Sequence, residues 1–163
     1  MKKFPESPES SLPAHLPRRL AAMLYDTLIS VALLIVTTGF YKMSQAKIMG
    51  EEELRRLTDA GAMDHDPLLS SILFVTLYIF FAYFWTKSGQ TLGMQVWRIR
   101  IQTQEGYSIR WNQALLRFMM AWLSAGCFGL GYLWMLWDKQ GKTWQDHFSM
   151  TEVVRIPKTD ASR

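Results

Sequence analysis

The chain has 163 residues, one domain's worth, and a formal net charge of +4. Its 18 Lys and Arg sit mainly at the edges of apolar blocks, with no basic helix or aromatic–basic sheet pattern, so a nucleic-acid-binding role is excluded. One cysteine, Cys127, excludes an intramolecular disulfide.

The hydrophobic fraction of 49% looks like that of a soluble protein until its distribution is followed. The apolar residues are gathered into three blocks separated by charged connectors. Ten Met, nine Phe and seven Trp suit lipid-facing helices and interfacial belts. The first 16 residues, rich in Pro, Ser and Glu, lack the apolar core of a secretory leader and read as a disordered tail. From Leu20 to Tyr41 every residue is apolar or uncharged except Asp26, and a span needs about 20 such residues. Arg18 and Arg19 stand at its entrance, where long cationic side chains reach headgroups. An ionised carboxylate at the depth of Asp26 costs on the order of a few kcal/mol, so it requires a partner, a water-filled cavity or a proton.

Lys42 to Pro67 is polar, and within it Gly50 to Thr58 predicts a short helix with acids early and arginines late. Leu68 to Trp85 is uncharged and predicts a second span. The connector that follows alternates apolar and polar residues from Val96 to Gln102, then turns at Gln104-Glu105-Gly106. This pattern predicts a two-stranded hairpin at the membrane surface. The third block, near Ala114 to Trp137, carries Arg117 close to its beginning and is uncharged from Phe118 onward, enough for one crossing. Ala121, Ala125 and Gly129 recur every four residues, a small-residue stripe suited to close helix packing within the chain or between copies. Gly126, Gly129 and Gly131 also allow a break. The polar tail ends in a strand-like run, Met150 to Ile156.

Basic residues before the first block and in the second connector favour a cytoplasmic N-terminus. The tail is ambiguous. An uncharged third block of span length places it outside, whereas its basic residues, and pairing of Met150–Ile156 with the Val96–Thr103 strand, place it inside and require a broken or re-entrant block. The balance leans to three full crossings. The expected fold is all-α membrane, a three-block transmembrane helical bundle with a short interfacial β-hairpin. Residues 1–16 form the tail, 17–156 the transmembrane domain and 157–163 a C-terminal tail.

With these motifs in place, the chain resembles the RDD family of small integral membrane proteins. Arg19 and Asp26 match its first motif, an arginine at the start of the first membrane helix and an aspartate seven residues later. Gly89 to Gly93 (GQTLG), the VWRIRI run and Arg117 match the second. Asp146 and the TEVV run, Thr151 to Val154, match the third. Two departures stand: the last motif reads Trp-Gln-Asp-His where the family more often has histidine before the aspartate, and the stretch between Arg117 and Asp146 is short. The resemblance implies residence in a bacterial inner (plasma) membrane. It also brings the family's suggested role in transport, cation/proton antiport being proposed for some members.

Arg19, Asp26, Arg117 and Asp146 are therefore the candidate residues of an ion or proton pathway, or of a structural ion pair. For Asp26 the structural reading, a carboxylate paired with Arg19 or Arg117, carries more weight. Seven residues is about 10 Å along a helix, however, which makes Arg19 an awkward direct partner. Ser30, one turn on, is a candidate hydrogen-bond partner of Asp26. Asp146 with His147 is a candidate proton relay. Asp64-His65-Asp66 resembles a divalent-ion cluster, but three adjacent residues cannot close a coordination sphere, and Asp66 before Pro67 fits helix-entrance chemistry better. GQTLG lacks the phosphate-loop pattern and reads as a tight surface turn. No nucleophile elbow, zinc spacing or paired carboxylates appear, so no enzyme, metal or cofactor is expected. Two functions remain. One is a transporter or transporter subunit moving a monovalent cation or proton through Asp26. The other is a non-catalytic scaffold in the lipid bilayer that binds another membrane protein, or its own copies, through the small-residue face.

Overall fold

A computed structural model describes residues 2–4, 12–61 and 66–157. The chain is mostly helical, with a small three-stranded sheet. The first block becomes α1, Leu16–Met49. It outruns the predicted span because Lys42 to Met49 holds mostly good helix formers, and its 34 residues measure about 51 Å at 1.5 Å per residue. The second block becomes α3, Pro67–Lys87. Both are long and apolar enough to cross a membrane, and only 11% of each span's apolar window is buried. Side chains such as Leu28, Ile35, Phe74 and Ile79 are left facing outward, as lipid-facing residues are.

The described chain divides into two compact units. One runs from Thr27 to Ile79. It contains the short helix α2, Glu51–Asp59, with Glu51, Glu52 and Glu53 in its first turn and Arg56 in its last, as the dipole favours. Asp66 Oδ1 accepts from the Leu68 and Leu69 N–H groups, capping α3, and Oδ2 accepts from the Tyr41 hydroxyl at 2.6 Å. Asp66 is thus the helix-entrance residue expected. Residues 64 and 65 of the Asp64-His65-Asp66 run lie outside the described residues.

The other unit takes the described residues up to Asp26 and from Phe80 onward. After α3 comes α4, Leu92–Val96, then β2, Ile99–Thr103. The predicted hairpin does not form. Gln104–Gly106 turns the chain and the Tyr107 carbonyl accepts from the Thr103 N–H at 2.9 Å, yet Tyr107 starts no strand against β2 and forms an isolated bridge to Lys3. β2 pairs instead with β3, Thr151–Arg155, antiparallel, with Ile101 opposite Val153. A lone two-stranded ribbon is marginal in water. The long-range pairing buries Ile99, Ile101, Val153 and Val154 together. A third strand, β1 at Leu12–Pro13, adds to the far edge of β3. The expected disordered tail is corrected at both ends: Leu12 and Pro13 are in the sheet, and Phe4 is buried with the Arg100 guanidinium 3.9 Å from its ring centroid.

The third block is not one straight helix. α5, Trp111–Gly126, stops at a turn, and α6, Leu130–Leu133, continues into a 3₁₀ turn at Trp134–Leu136, the two arms bent by 108°. The break falls where Phe128 and Gly129 both adopt positive φ, a region open to glycine and strained for phenylalanine. Phe128 stands 97% exposed at the apex. The arms approach closely: a Cβ on Gly131 would lie 2.6 Å from Ser124 Oγ. The short helix α7, Trp144–Ser149, then leads directly into β3. Because the strands before and after this block are hydrogen-bonded to each other, the block leaves and returns to one sheet. The straight third helix expected in a three-block bundle is replaced by this bent pair.

Candidate functional site

Two buried aspartates organise the sheet-bearing unit, and they are satisfied by opposite chemistries. Asp146 sits in the first turn of α7, where Thr143 caps the helix and donates its backbone N–H to Asp146 Oδ2 at 3.1 Å. Arg19, one turn into α1, donates from Nη1 to Oδ2 at 2.5 Å. Arg117, on the buried face of α5 with Ala114, Phe118 and Ser124, donates from Nη1 to Oδ1 at 2.8 Å. Arg19, Arg117 and Asp146 are 6%, 7% and 1% exposed. Burial alone would raise the Asp146 carboxyl's pKa. Arg117 and Arg19 outweigh that and hold it at about 2, so it is ionised at neutral pH.

The arginines are fixed by further contacts. Arg19 Nε donates to the Ala14 carbonyl at 2.9 Å. Arg117 also donates to Thr151 Oγ1 and lies 5.9 Å from the centroid of the Trp85 ring. With Thr151 accepting from Arg117, its hydroxyl is free to donate to Ser149 Oγ at 2.7 Å, and Ser149 donates in turn to the Gln145 carbonyl. Asp146 thus joins the start of α1, the middle of α5 and the turn before β3.

Among the described residues Asp26 belongs to no ion pair, which corrects the expected partnership with Arg19 or Arg117. Its Oδ2 accepts from the Thr91 hydroxyl, and its Oδ1 from the Gly93 N–H at 2.9 Å. The GQTLG segment supplies both donors, and it is a buried receptor rather than a surface turn. Gly89 adopts φ +72°, and a Cβ there would meet the Ile101 carbonyl oxygen at 2.6 Å. Thr91 caps α4 by accepting from the Met94 N–H at 3.2 Å while donating to Asp26. At Gly93 a Cβ would lie 2.3 Å from the Ala22 carbonyl oxygen, so only glycine lets α4 approach α1 this closely. Ser30 does not complete the site, for its hydroxyl has no hydrogen-bond partner among the described residues.

The expected Asp146–His147 relay is also corrected. His147 Nε2 turns to Asp138 Oδ1 at 3.1 Å, away from the buried cluster. Asp138 is held below its ordinary pKa, first by the Lys142 N–H and then by His147. Of the small-residue stripe, Ala121 is half-buried, Ala125 is exposed and Gly129 makes the break, while the buried close contact uses Ser124 and Gly131. The sequence therefore brought out Arg19, Arg117 and Asp146, which meet, and Asp26, which lies apart from that ion cluster. It missed Thr91 and Gly93, whose signal was the GQTLG segment itself.

The sequence model of the RDD family matches residues 13–150, a range holding Arg19, Asp26, Arg117 and Asp146. No curated protein and no solved structure matches the chain.

Proposed function

This chain belongs to the RDD family, and we propose that it is a non-catalytic membrane scaffold in which the buried charged residues Arg19, Asp26, Arg117 and Asp146 hold a polar cap together. The observation that carries this reading is that Arg19, Arg117 and Asp146 close on one another, while both oxygens of Asp26 are occupied by protein donors. Buried charges so engaged act as structural ties between elements. Its partner is another membrane protein or a second copy, met through the exposed side of α5, where a Cβ at Gly126 would meet nothing within 4 Å and Ala125 is uncovered.

The same geometry supports two crossings, α1 and α3, with the bent α5–α6 pair entering and leaving on one side. Positions 1–26 and 80–163 hold 14 Lys and Arg against 8 Asp and Glu; positions 27–79 hold 4 against 6. By the positive-inside rule the sheet-bearing end lies in the cytoplasm of a bacterial inner membrane.

A transport reading has one observation in its favour. Asp26 is a buried acid in a candidate span whose donors among the described residues are both neutral, the setting of an ion or proton site. Reconstitution separates the two. The scaffold requires that Ala125→Phe weaken association in liposomes, read by energy transfer between labelled copies or with a co-reconstituted partner, while Asp26→Asn leaves it intact. Cation-driven proton movement in wild-type proteoliposomes, abolished by Asp26→Asn, would replace the scaffold with the transporter.

A further inference from the structure

The Arg19–Asp146–Arg117 cluster does not balance its own charge, since two guanidinium groups share one carboxylate. Asp26 lies about 10 Å further along α1, bonded to Thr91 and Gly93 rather than to a guanidinium. Buried charge is tolerated when it is paired and hydrogen-bonded. Arg19 also has donor capacity to spare: its Nη2 reaches only the Val153 carbonyl among the described residues, at 3.5 Å, although each terminal guanidinium nitrogen carries two N–H groups.

Arg19 forms part of the wall of a cavity of about 440 Å³ between the sheet and the loop before α7. The same wall holds Lys142, Gln104, Gln140 and Glu152. Glu152 Oε1 accepts from Gln102 Nε2 at 2.9 Å, which engages one end of that carboxylate. With Arg117 and Asp146 cancelling behind the wall, Arg19, Lys142 and Glu152 leave one positive charge in excess. Two amide side chains complete the polar lining. One cavity lined by a held arginine, a lysine and two glutamines carries the donor types of an oxyanion receptor.

We infer that this cavity binds an oxyanion of the phosphate class, held between the Arg19 guanidinium and the Lys142 ammonium. The chemistry is shared by free phosphate and by the phosphodiester of an anionic lipid headgroup. The site is independent of whether the protein is a scaffold or a transporter.

The test uses the full chain. Inorganic phosphate is titrated into protein in a neutral detergent by calorimetry. In parallel, melting temperatures are compared in nanodiscs of phosphatidylcholine with and without phosphatidylglycerol. Lys142→Gln removes the ammonium without touching the Asp146 cluster, and Lys139→Gln, exposed and outside the cavity wall, controls for general surface charge. Phosphate binding in the wild type, weakened about tenfold by Lys142→Gln and unchanged in Lys139→Gln, establishes the site with a free oxyanion. Stabilisation by phosphatidylglycerol that Lys142→Gln alone erases, without a response to phosphate, establishes it with a headgroup. The inference is overturned if neither probe distinguishes wild type from Lys142→Gln. It is equally overturned if Lys139→Gln loses as much as Lys142→Gln.

Discussion

Asp26 and Asp146 are the same residue type, similarly buried, in one compact unit, yet they are solved in different ways. Asp146 has two guanidinium groups and a backbone amide, while Asp26 has a hydroxyl and a backbone amide. The ionic site joins elements far apart in sequence, since Arg19, Arg117 and Asp146 come from α1, α5 and α7. The neutral site does a narrower task, fastening α4 against α1 where Gly93 leaves room. A carboxylate with charged partners becomes an anchor whose loss strands those partners. One with neutral partners can lose its charge and leave nothing uncompensated behind.

The sharpest way to break this contrast is Asp146→Asn. It leaves two guanidinium groups buried against a neutral amide, and removing one member of a buried pair costs about 3–5 kcal/mol. Chemical unfolding in detergent should show that loss, with Arg19→Met or Arg117→Met milder because the remaining arginine still faces an aspartate. An Asp146→Asn protein as stable as wild type would show that the cluster ties nothing together.

Acid should weaken the same anchor. The Asp146 carboxyl takes up its proton near 3.8 when unfolded and at about 2 in the fold. Between those values the unfolded state binds more protons, so the contribution is complete above about pH 5 and falls as pH drops through the window. The difference is worth about 2 kcal/mol. Unfolding midpoints measured from pH 5 to pH 2 should decline, and the decline should be smaller in Asp146→Asn.

At the neutral site the steric requirement outweighs the hydrogen bonds. Gly93→Ala places a methyl 2.3 Å from the Ala22 carbonyl oxygen, and over-packing of this kind costs about 1–3 kcal/mol. Gly126→Ala, with nothing within 4 Å, should be neutral or slightly stabilising. Equal melting temperatures for the two variants would mean that α4 does not press on α1.

The unequal legibility of the two sites in the sequence has the same physical root. Composition and run length marked α1 and α3, because a span is a local property of about 20 residues. Arg19, Asp26, Arg117 and Asp146 stood out as charges in or beside apolar blocks. Their pairing did not, because the contact between Arg19 and Asp146 crosses 127 positions and depends on the third block doubling back. The glycines at 126, 129 and 131 carried that break, but a run of uncharged residues is the same string whether it crosses or returns. Likewise β2 alternated correctly, yet alternation does not say whether its neighbour is the next strand or one some fifty residues away. Gly93 and Thr91 looked like turn chemistry because what makes them necessary, the Ala22 carbonyl and the Asp26 carboxylate, lies on another helix.

The smallest effect should come from the Asp26–Thr91 hydrogen bond itself. Thr91→Val keeps the shape and removes the hydroxyl, which both donates to Asp26 Oδ2 and caps the Met94 N–H. A typical buried hydrogen bond is worth about 0.5–1.5 kcal/mol net, and loss of a helix cap adds about 1 kcal/mol. Thr91→Ser retains both bonds and should recover most of the loss. Asp26→Asn still offers an oxygen to the Gly93 N–H, and its amide can donate to the Thr91 oxygen, so its cost should stay near 1 kcal/mol. A cost for Asp26→Asn as large as that for Asp146→Asn would mean that Asp26 is paired with a charge after all, and the distinction between the two carboxylates would collapse.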